Sequence, residues 1–359
     1  MTIMAGIDMH VKTLVCEIGY EKNKPKKMKF SNSLNGYANL LRYLENLKTA
    51  EKATDVLVAY EASGFGYLLH DILVSNNYRC EILAPTELER SANSSKKKTD
   101  KKDASYIYEN IRGHVLAGNR LHNIWIPDKE LRDDRDVNRV KYDLGTKIAE
   151  AKSQIHTLLK KNGIRKPDEL ENWSKPFYQW LLLKKKNGSN SFQICLEFYL
   201  QQLDFLEYQK SEMEKKLLEI AMKPRFRKQY QALIKMKGVG LNMAMTFLTE
   251  IGDVNRFSNR KELGAYMGLV PSSHESGEIT DRKGRITRDG PYRLRSVLNQ
   301  AVWVHLRYCG EEKAVYDRIV ARNPKRKKKA VVACMRRLGI RMWHVAKDAI
   351  ANDEVENRA

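Results

Sequence analysis

The sequence has little acidic charge, few cysteines and no long apolar run, and each shortage excludes a class of protein. Its 65 lysines and arginines outnumber 44 acidic residues, so the formal net charge is +21. An excess of this size repels itself in a compact chain unless a polyanion neutralises it, so nucleic acid is the first partner to expect. The five cysteines are odd in number and widely spaced. This pattern favours reduced packing residues over a disulfide framework or a C-x-x-C zinc site.

Membrane and export signals are also missing from the sequence. No apolar run reaches the roughly 18 residues that a membrane span needs. The start, MTIMAGIDMH, lacks the charged-then-apolar order of a signal peptide. We therefore expect a cytoplasmic protein. With 359 residues, of which 42% are hydrophobic, the chain is long enough for two or three domains with real cores.

The first third of the chain predicts a mixed α/β domain, placed at residues 1–126. Short β-type runs come first and helical patterns follow. The predicted strands cover 3–7, 13–19, 26–31, 55–62 and 79–84, and the predicted helices cover 35–47, 67–74 and about 101–113. The order β-β-β-α-β-α-β-α is that of a ribonuclease H-like fold.

From residue 127 the β pattern gives way to helical periodicity, which predicts a coiled-coil arm over 127–224. Apolar residues step by threes and fours in two seams, at 144, 148, 151, 155 and 158 and at 196, 199, 203, 206, 213, 217 and 220. The polar stretch 162–191 between them is predicted to be the arm's tip or an inserted loop. Heptad-like seams need a partner, so we expect a homo-oligomer, a dimer or tetramer, held together by residues 128–222.

The remaining residues, 225–359, predict a mostly helical domain with several basic segments. In KGVG, Gly238 and Gly240 stand before an apolar helix, as in a helix-hairpin-helix motif whose backbone amides bind phosphate. A packing role for these glycines is equally open. The run NPKRKKK at 323–329 is the densest positive patch of the chain. It is predicted to bind nucleic acid, and the alternative is a solvated basic loop without a partner. The predicted nucleic-acid-binding residues are Lys96, Lys97, Lys98, Lys101, Lys102, Gly238, Gly240, Lys283, Arg285, Arg288, Arg293, Arg295, Lys325, Arg326, Lys327, Lys328 and Lys329.

Four carboxylates of the first domain are candidates for one site. Asp8 and Glu61 end two predicted strands that are neighbours in a ribonuclease H-like sheet, so their side chains should emerge side by side. Asp100 and Asp103 are three residues apart and share one face of the last helix. Each has an ordinary alternative role: a turn former, a strand-end surface residue, or a charge favoured by the helix dipole.

A cluster of four carboxylates would repel itself, and the usual relief is a pair of divalent metal ions with oxygen ligands. Two Mg²⁺ ions about 4 Å apart promote attack on a phosphodiester, because one activates the nucleophile and the other stabilises the leaving oxygen. We therefore predict a metal site formed by Asp8, Glu61, Asp100 and Asp103, with the neighbouring lysines on the nucleic-acid backbone.

Several motifs resemble those of a known family, the DEDD transposases of the Piv/MooV type, or IS-one-ten insertion-sequence group. GIDMH, the strand ending in EASG, and KTDKKDA are similar to the family's RuvC-like N-terminal domain. KGVG, the block EIGDVNRFSNRKELGAYMGLVPSSHESGEI and GRITRDGPYRLRSVL are similar to its transposase domain. The resemblance implies an RNA-guided DNA recombinase, with a structured non-coding RNA that pairs with donor and target DNA.

The resemblance also implies roles for particular residues. The family's acidic tetrad falls on Asp8, Glu61, Asp100 and Asp103. Its nucleophilic serine, which acts in a composite site with the metal-bound carboxylates, falls on Ser276, although the alignment also admits Ser272 or Ser273. From the residues alone, Ser276 is equally compatible with a turn or helix cap, and His274 is a candidate proton acceptor or a surface residue.

Three functions remain open at this stage. The leading prediction is a transposase that uses Ser276 and the acidic tetrad to cleave and rejoin DNA. The second is a RuvC-like structure-specific endonuclease, such as a junction resolvase, that uses a metal-activated water. The third is a nucleic-acid-binding scaffold whose acidic residues are structural. A trapped protein–DNA adduct would distinguish the first from the others, and Mg²⁺-dependent cleavage would distinguish the second from the third.

Overall fold

The computed structural model describes the backbone of residues 1–21, 23–85, 100–276 and 279–356, and their side chains except at 100–102, 273–276, 279–283 and 353–356. Two compact units are present, Met1–Ile126 and Pro127–Ala359. Within these described ranges, no helix is both long enough and apolar enough to cross a membrane.

The first unit is built on a five-stranded sheet. Its strands are β1 (Thr2–Met9), β2 (Thr13–Tyr20), β3 (Lys26–Ser31), β4 (Asp55–Glu61) and β5 (Arg79–Leu83), in the spatial order β3-β2-β1-β4-β5. The first three strands are antiparallel, whereas β4 and β5 run parallel to β1. β1 and β4 are buried on both faces, which explains their nearly continuous apolar runs.

Helices cover both faces of this sheet. α1 (Leu34–Ala50) and α2 (Leu68–Ser75) pack on the face formed by Ile3, Ala5 and Ile7, and α3 (Asp100–Ala117) packs on the face formed by Met4, Leu57 and Ala59. α1 begins where the Ser33 hydroxyl accepts a hydrogen bond from the Gly36 amide. The predicted order of strands and helices is confirmed, and each element ends within a few residues of its predicted bounds.

Gly6 lets α3 lie unusually close to β1. A Cβ atom at this position would be 2.4 Å from the Tyr108 amide nitrogen and 2.7 Å from the Ala104 carbonyl oxygen. Both neighbours are backbone atoms of a helix, so neither can rotate away. The absence of a side chain at Gly6 therefore fixes the distance between α3 and the middle of the sheet.

Gly6→Ala is expected to destabilise the first unit by about 1–3 kcal/mol, because the added methyl group forces the helix and strand apart. The matched control is Gly64→Ala, since a Cβ at Gly64 meets no atom within 4 Å; its effect should stay within about 0.5 kcal/mol. Calorimetric melting of the full-length variants measures both. An unchanged melting profile for Gly6→Ala would contradict the packing argument.

The second unit contains a long antiparallel helix pair, α4 (Lys129–Lys161) and α6 (Asn190–Ala221). Cross-pair contacts show the direction, because Lys141 pairs with Glu214 at 3.2 Å and Lys152 pairs with Glu207 at 2.8 Å. The buried seam between them contains Leu144, Ile148, Ala151 and Ile155 from α4 and Leu196, Leu200, Leu203 and Leu206 from α6. Two long helices with packed seams were predicted here, whereas a supercoil and self-association stay predictions.

The stretch between these two helices differs from its predicted form. Residues 162–191 were expected to form a polar tip or loop, but they include a helix, α5 (Lys175–Lys186). Phe177 and Leu181 of α5 are fully buried against the seam, and Trp173 packs edge-on to Phe177 with ring centroids 5.2 Å apart. Phe177 and Leu181 are spaced four residues apart, so they lie on the same side of α5, and its lysines lie at the two ends of the helix.

The rest of the second unit is mainly helical and packs around one large core. Its elements are α7 (Arg227–Leu233), α8 (Leu241–Ile251), α9 (Arg260–Tyr266), β6 (Pro271–Ser276), β7 (Ile279–Ile286), α10 (Tyr292–Tyr308), α11 (Gly310–Arg322) and α12 (Lys327–Glu356). α8 is buried from Met243 to Ile251 and forms the centre of that core. The strands β6 and β7 pair as an antiparallel hairpin that the sequence analysis missed.

A buried polar contact joins α4 to α8. Arg139 donates two hydrogen bonds to the Glu250 carboxylate, at 2.9 and 3.0 Å, and Arg135 Nε donates to the Thr249 carbonyl at 2.8 Å. Bidentate arginine–carboxylate pairs of this kind fix orientation as well as distance. The first part of α4 therefore packs against the core of the second unit, while its second half pairs with α6.

The cysteines are less uniform than predicted. Cys16, Cys80 and Cys334 are buried packing residues as expected, and burial raises the pKa of the Cys16 thiol to about 12. Cys195, by contrast, is exposed on α6, and Cys309 is half-buried after α10. The prediction that all five are packing residues is therefore wrong for Cys195.

Candidate functional site

Asp8 and Glu61 lie side by side at one edge of the sheet. The parallel register pairs Ile7 with Tyr60, which places Asp8 level with Glu61 at the next position of each strand. Directly paired positions point to the same face of a sheet. This face is the one covered by α3, because Met4 and Gly6 precede Asp8 on it at intervals of two residues. The sheet thus gathers two carboxylates where two buried strands end.

The third predicted carboxylate, Asp103, lies in the first turns of α3. It is half-buried, and the carbonyl oxygen of the next residue, Ala104, lies against Gly6, two positions before Asp8 on the same face. Asp100 is the first residue of α3, so the helix does contain both acids at a spacing of three, but the Asp100 side chain lies outside the described residues. Asp8 and Glu61 therefore lie on the face of the sheet that α3 covers, and Asp103 belongs to that helix.

His10 contacts Asp8, a feature that the sequence analysis missed. The imidazole Nε2 is 3.0 Å from Asp8 Oδ2, and the Asp8 side chain is 19% exposed. The backbone around His10 is held firmly, since its amide donates to the Thr13 carbonyl and its carbonyl accepts from the Asn32 side chain. The available signal was the D-x-H spacing in GIDMH, which places both side chains on one face at a strand end.

The same face carries another carboxylate, Glu17, which has a structural role. Glu17 is buried on β2 level with Gly6; its carboxylate accepts a hydrogen bond from Ser105 of α3 and lies 3.5 Å from the Lys27 ammonium group. A hydroxyl group and a cation thus satisfy its charge within the protein.

The donor chemistry of the acidic face fits a hard divalent cation, which binds carboxylate oxygens in preference to other ligands. Among the side chains that the structure describes, however, no three His, Cys, Asp or Glu residues are close enough together to hold a metal ion. Asp8, Glu61 and Asp103 supply carboxylate oxygens, and a closed metal shell would need them to move together or to include Asp100.

In the second unit, Ser276 is the last residue of β6. It pairs with Ile279 at the start of β7, so it stands where the two strands of the hairpin meet. The side chains of Ser273, His274, Ser276 and Lys283 lie outside the described residues. Ser272 is described, and its hydroxyl donates to the Arg285 carbonyl at 3.1 Å across the hairpin. Of the three serines that could align with the family's nucleophile, Ser272 thus has a structural role, because its hydroxyl group links the two strands of the hairpin.

The arginines in and after β7 fall into two groups. Arg285 and Arg288 are exposed. Arg293 binds both oxygens of Asp143 on α4, at 2.9 and 3.0 Å, and lies over the rings of Tyr142 and Tyr292. These contacts give Arg293 a structural role, which the sequence analysis did not anticipate.

Arg295 is also engaged within the protein. Its guanidinium group donates to the Gly290 carbonyl at 2.6 Å and the Met267 carbonyl at 3.3 Å. Burial, together with the nearby positive charge of Arg288, lowers the pKa of Arg295. A phosphate near these two residues would relieve the repulsion between them.

The two glycines of KGVG differ in their surroundings. Gly238 has φ +83°, and a Cβ there would meet the backbone of α10 at Ala301 and His305, so this glycine serves close packing. Gly240 is the N-cap of α8, and a Cβ there would meet nothing within 4 Å. The packing alternative thus describes Gly238, whereas Gly240 leaves the first amides of α8 without a side-chain cap.

The remaining predicted basic residues are exposed where they can be described. Lys325, Arg326, Lys327, Lys328 and Lys329 run from a short 3₁₀ turn into the start of α12, and all five are exposed. Lys101 and Lys102 belong to the first turn of α3, but their side chains are not described. Lys96, Lys97 and Lys98 lie outside the described residues.

Comparison with protein families gives two matches on this chain. Residues 5–163 match a model of DEDD transposases of the IS110 type, described as transposase. Residues 230–317 match a second model, described as the transposase IS116/IS110/IS902 family. The first match contains Asp8, Glu61, Asp100 and Asp103, and the second contains the KGVG turn and the β6–β7 hairpin with Ser276.

Individual relatives extend along most of the chain. The transposase-like protein y4qE of Sinorhizobium fredii is 27% identical over 71% of the chain, and the match spans 60% of that relative's own length. The transposase for insertion sequence element IS1533 of Leptospira borgpetersenii is 24% identical over 84% of the chain and 85% of its own length. The transposase-like protein y4rJ of S. fredii is 23% identical over 89% of the chain and 85% of its own length.

Proposed function

The chain belongs to the IS110-type family of DEDD transposases, and on this basis we propose that it is the recombinase that excises and inserts an insertion sequence. It acts on the DNA of the element ends and of the target, and a structured non-coding RNA guides it. The observation that supports catalysis most directly is the level placement of Asp8 and Glu61 on paired parallel strands. The charge of +21 supports binding to more than one nucleic-acid strand.

The first unit is assigned a RuvC-like, ribonuclease H-like fold within this proposal. The support is the strand order β3-β2-β1-β4-β5, with a helix on the face that carries the acids. Asp8, Glu61, Asp100 and Asp103 are the proposed ligands of divalent metal, most simply two Mg²⁺ ions. When bound, such ions supply positive charge to a phosphate that is being attacked.

The proposed nucleophile is the Ser276 hydroxyl. Its oxygen forms a bond to the scissile phosphorus while the bond from phosphorus to the leaving nucleotide oxygen breaks. The serine proton passes to a base, and the leaving oxygen takes up a proton to become a DNA hydroxyl. The reverse reaction, with a hydroxyl of another strand attacking the phosphoserine ester, rejoins DNA and restores the serine. Because the phosphoserine ester conserves the free energy of the phosphodiester bond that was broken, strand exchange needs no nucleotide cofactor.

Self-association is part of the same proposal, because exchanging two duplexes takes several active centres. Supporting it, α6 exposes a second apolar stripe, Ile194, Phe198 and Phe205, away from its packed seam. Exposed large apolar residues at helical spacing are typical of a surface that pairs with another helix.

A strand-transfer assay tests the proposed function. The full-length protein, DNA carrying the element ends and a transcript of the flanking non-coding region are combined with Mg²⁺. We expect joined products that depend on both the transcript and the metal. Cleavage without joining would favour the resolvase function, and binding without cleavage would favour the scaffold.

Nucleic-acid binding is expected to depend steeply on salt, because each neutralised phosphate releases counterions and contributes about 0.9 to the slope of log K against log salt on duplex DNA. Replacing Lys325, Arg326, Lys327, Lys328 and Lys329 by glutamine should reduce that slope by up to about 4.5. Fluorescence anisotropy titrations at several salt concentrations measure it. The control replaces Lys215 and Lys216, which pair with Glu212 and Glu219 on α6. If the control reduced the slope by the same amount per replaced charge, the basic patch at 325–329 would have no particular role in binding.

A further inference from the structure

A cavity of about 400 Å³ lies in the second unit beside the turn between α7 and α8. Its size falls in the range of about 300–1,000 Å³ that is typical of small-ligand pockets. The turn contributes Lys237, α10 and the residue after it contribute His305, Tyr308 and Cys309, and α12 contributes Arg341 and His344. None of the lining residues that the structure describes belongs to the acidic face or to the β6–β7 hairpin.

Two ring side chains at this cavity are open to solvent. Tyr308 is 68% exposed at the end of α10, and His344 is exposed on α12. Exposed aromatic rings beside basic residues are the usual means by which proteins stack unpaired bases. Lys237, also exposed, adds a positive charge at the side where the turn begins.

A hydrogen bond connects the lining of the cavity to the KGVG turn. His305 is only 5% exposed, and its Nδ1 lies 2.7 Å from the Lys237 carbonyl oxygen. Since a carbonyl can only accept, Nδ1 carries the proton, and in the neutral ring Nε2 is an acceptor. That Nε2 has no hydrogen-bond partner among the described residues. A buried acceptor without a donor costs free energy.

The charges around Arg341 argue against a simple anion site. Arg341 donates to Glu312 at 3.3 Å and to Glu311 at 3.4 Å, so two carboxylates already lie at this guanidinium group. A free phosphate entering here would meet both negative charges. The two carboxylates do not repel a planar uncharged ring. Such a ring can stack on the side-chain rings of Tyr308 and His344.

We propose that this cavity receives one unpaired nucleobase of a nucleic-acid strand whose backbone lies against the KGVG turn. The inference rests on the proposed function, since it requires that the protein bind nucleic acid. Gly240 leaves the first amides of α8 available to a phosphate, and the adjacent cavity takes the base that this phosphate carries. The proposed ligand is a single unstacked base, which either DNA or RNA can provide.

Binding of single-stranded oligo-adenylate tests the proposal. The full-length protein is titrated with strands of about 12 nucleotides, as DNA, as RNA and as an abasic backbone of equal length. Tyr308→Ala should weaken binding of the strands with bases by roughly five- to a hundred-fold and leave binding of the abasic strand nearly unchanged. Whichever of DNA and RNA shows the larger loss identifies the source of the base. A fully paired duplex should show no dependence on Tyr308.

Two variants serve as controls. Tyr308→Phe keeps the ring and should keep the preference for strands with bases. Trp303→Ala removes another exposed ring of α10 that lies outside the cavity, and it should also keep that preference. Equal weakening of base-containing and abasic strands by Tyr308→Ala, or no weakening, would overturn the cavity assignment alone. Failure of the wild-type protein to bind any strand would instead overturn the proposed function, and the cavity assignment with it.

Discussion

Ser276→Ala is expected to abolish strand transfer and the covalent protein–DNA adduct together. Replacing a nucleophile removes the step itself, and losses of at least about 10⁴-fold are usual for such changes. Binding should stay close to wild type, because the change removes no charge. The adduct is measured by denaturing electrophoresis of protein incubated with labelled DNA, and strand transfer by the yield of joined product.

Ser272→Ala and Ser273→Ala are the matched controls, because the alignment admits all three serines. The Ser272 hydroxyl is used in a hydrogen bond to the Arg285 carbonyl, so its loss should cost about 1 kcal/mol of stability and leave strand transfer in place. Wild-type recombination by Ser276→Ala, combined with none by Asp8→Ala, would contradict the serine mechanism. A metal-activated water would then be the nucleophile, as in a resolvase.

Asp8→Asn and Glu61→Gln are expected to reduce DNA cleavage by about 10³-fold or more, since each keeps the shape of the side chain and removes a charge that holds the metal. A second measurement does not depend on activity. Mg²⁺ should raise the melting temperature of the wild-type protein, because a ligand that binds only the folded state stabilises it. That rise should be much smaller in both variants.

Glu17→Gln is the control for these two changes. Glu17 is a buried carboxylate on the same face of the sheet, but Ser105 and Lys27 already satisfy it. We expect lower stability with retained cleavage and an unchanged response to Mg²⁺. If Glu17→Gln removed cleavage as completely as Asp8→Asn, the effect would reflect the packing of α3 rather than metal binding.

The sheet and its helices could be predicted from the sequence because their signals are local. β1 and β4 are apolar over most of their length, with Asp8 as the last residue but one of β1 and Glu61 as the last residue of β4, so strand identity and the place of these acids follow from the same pattern. The role of Gly6 could not be predicted in this way, since the helix backbone that it touches lies about a hundred residues later in the chain.

Elements of the second unit were missed where polar residues interrupt or border the apolar pattern. The β6–β7 hairpin has strands rich in serine, lysine and arginine instead of alternating apolar residues, although a Gly-x pair between two strands is a known hairpin signal. α5 was missed although residues 176–183 carry no charge, because polar and charged residues precede and follow this short apolar stretch. Arg293 was predicted as a phosphate ligand because a sequence cannot show that Asp143, 150 residues away, is its partner.

The length of α4 has a mechanical consequence. A straight helix of 33 residues is about 50 Å long, and its first turns are fixed to α8 by Arg135 and Arg139. Asp143, near the middle, is bound to Arg293 at the start of α10, just beyond the loop that follows β7. The middle of α4 is therefore attached to the start of α10, while its first turns are attached to α8. A displacement of α4 at Asp143 would act on Arg293, which follows β7 by seven residues in the sequence.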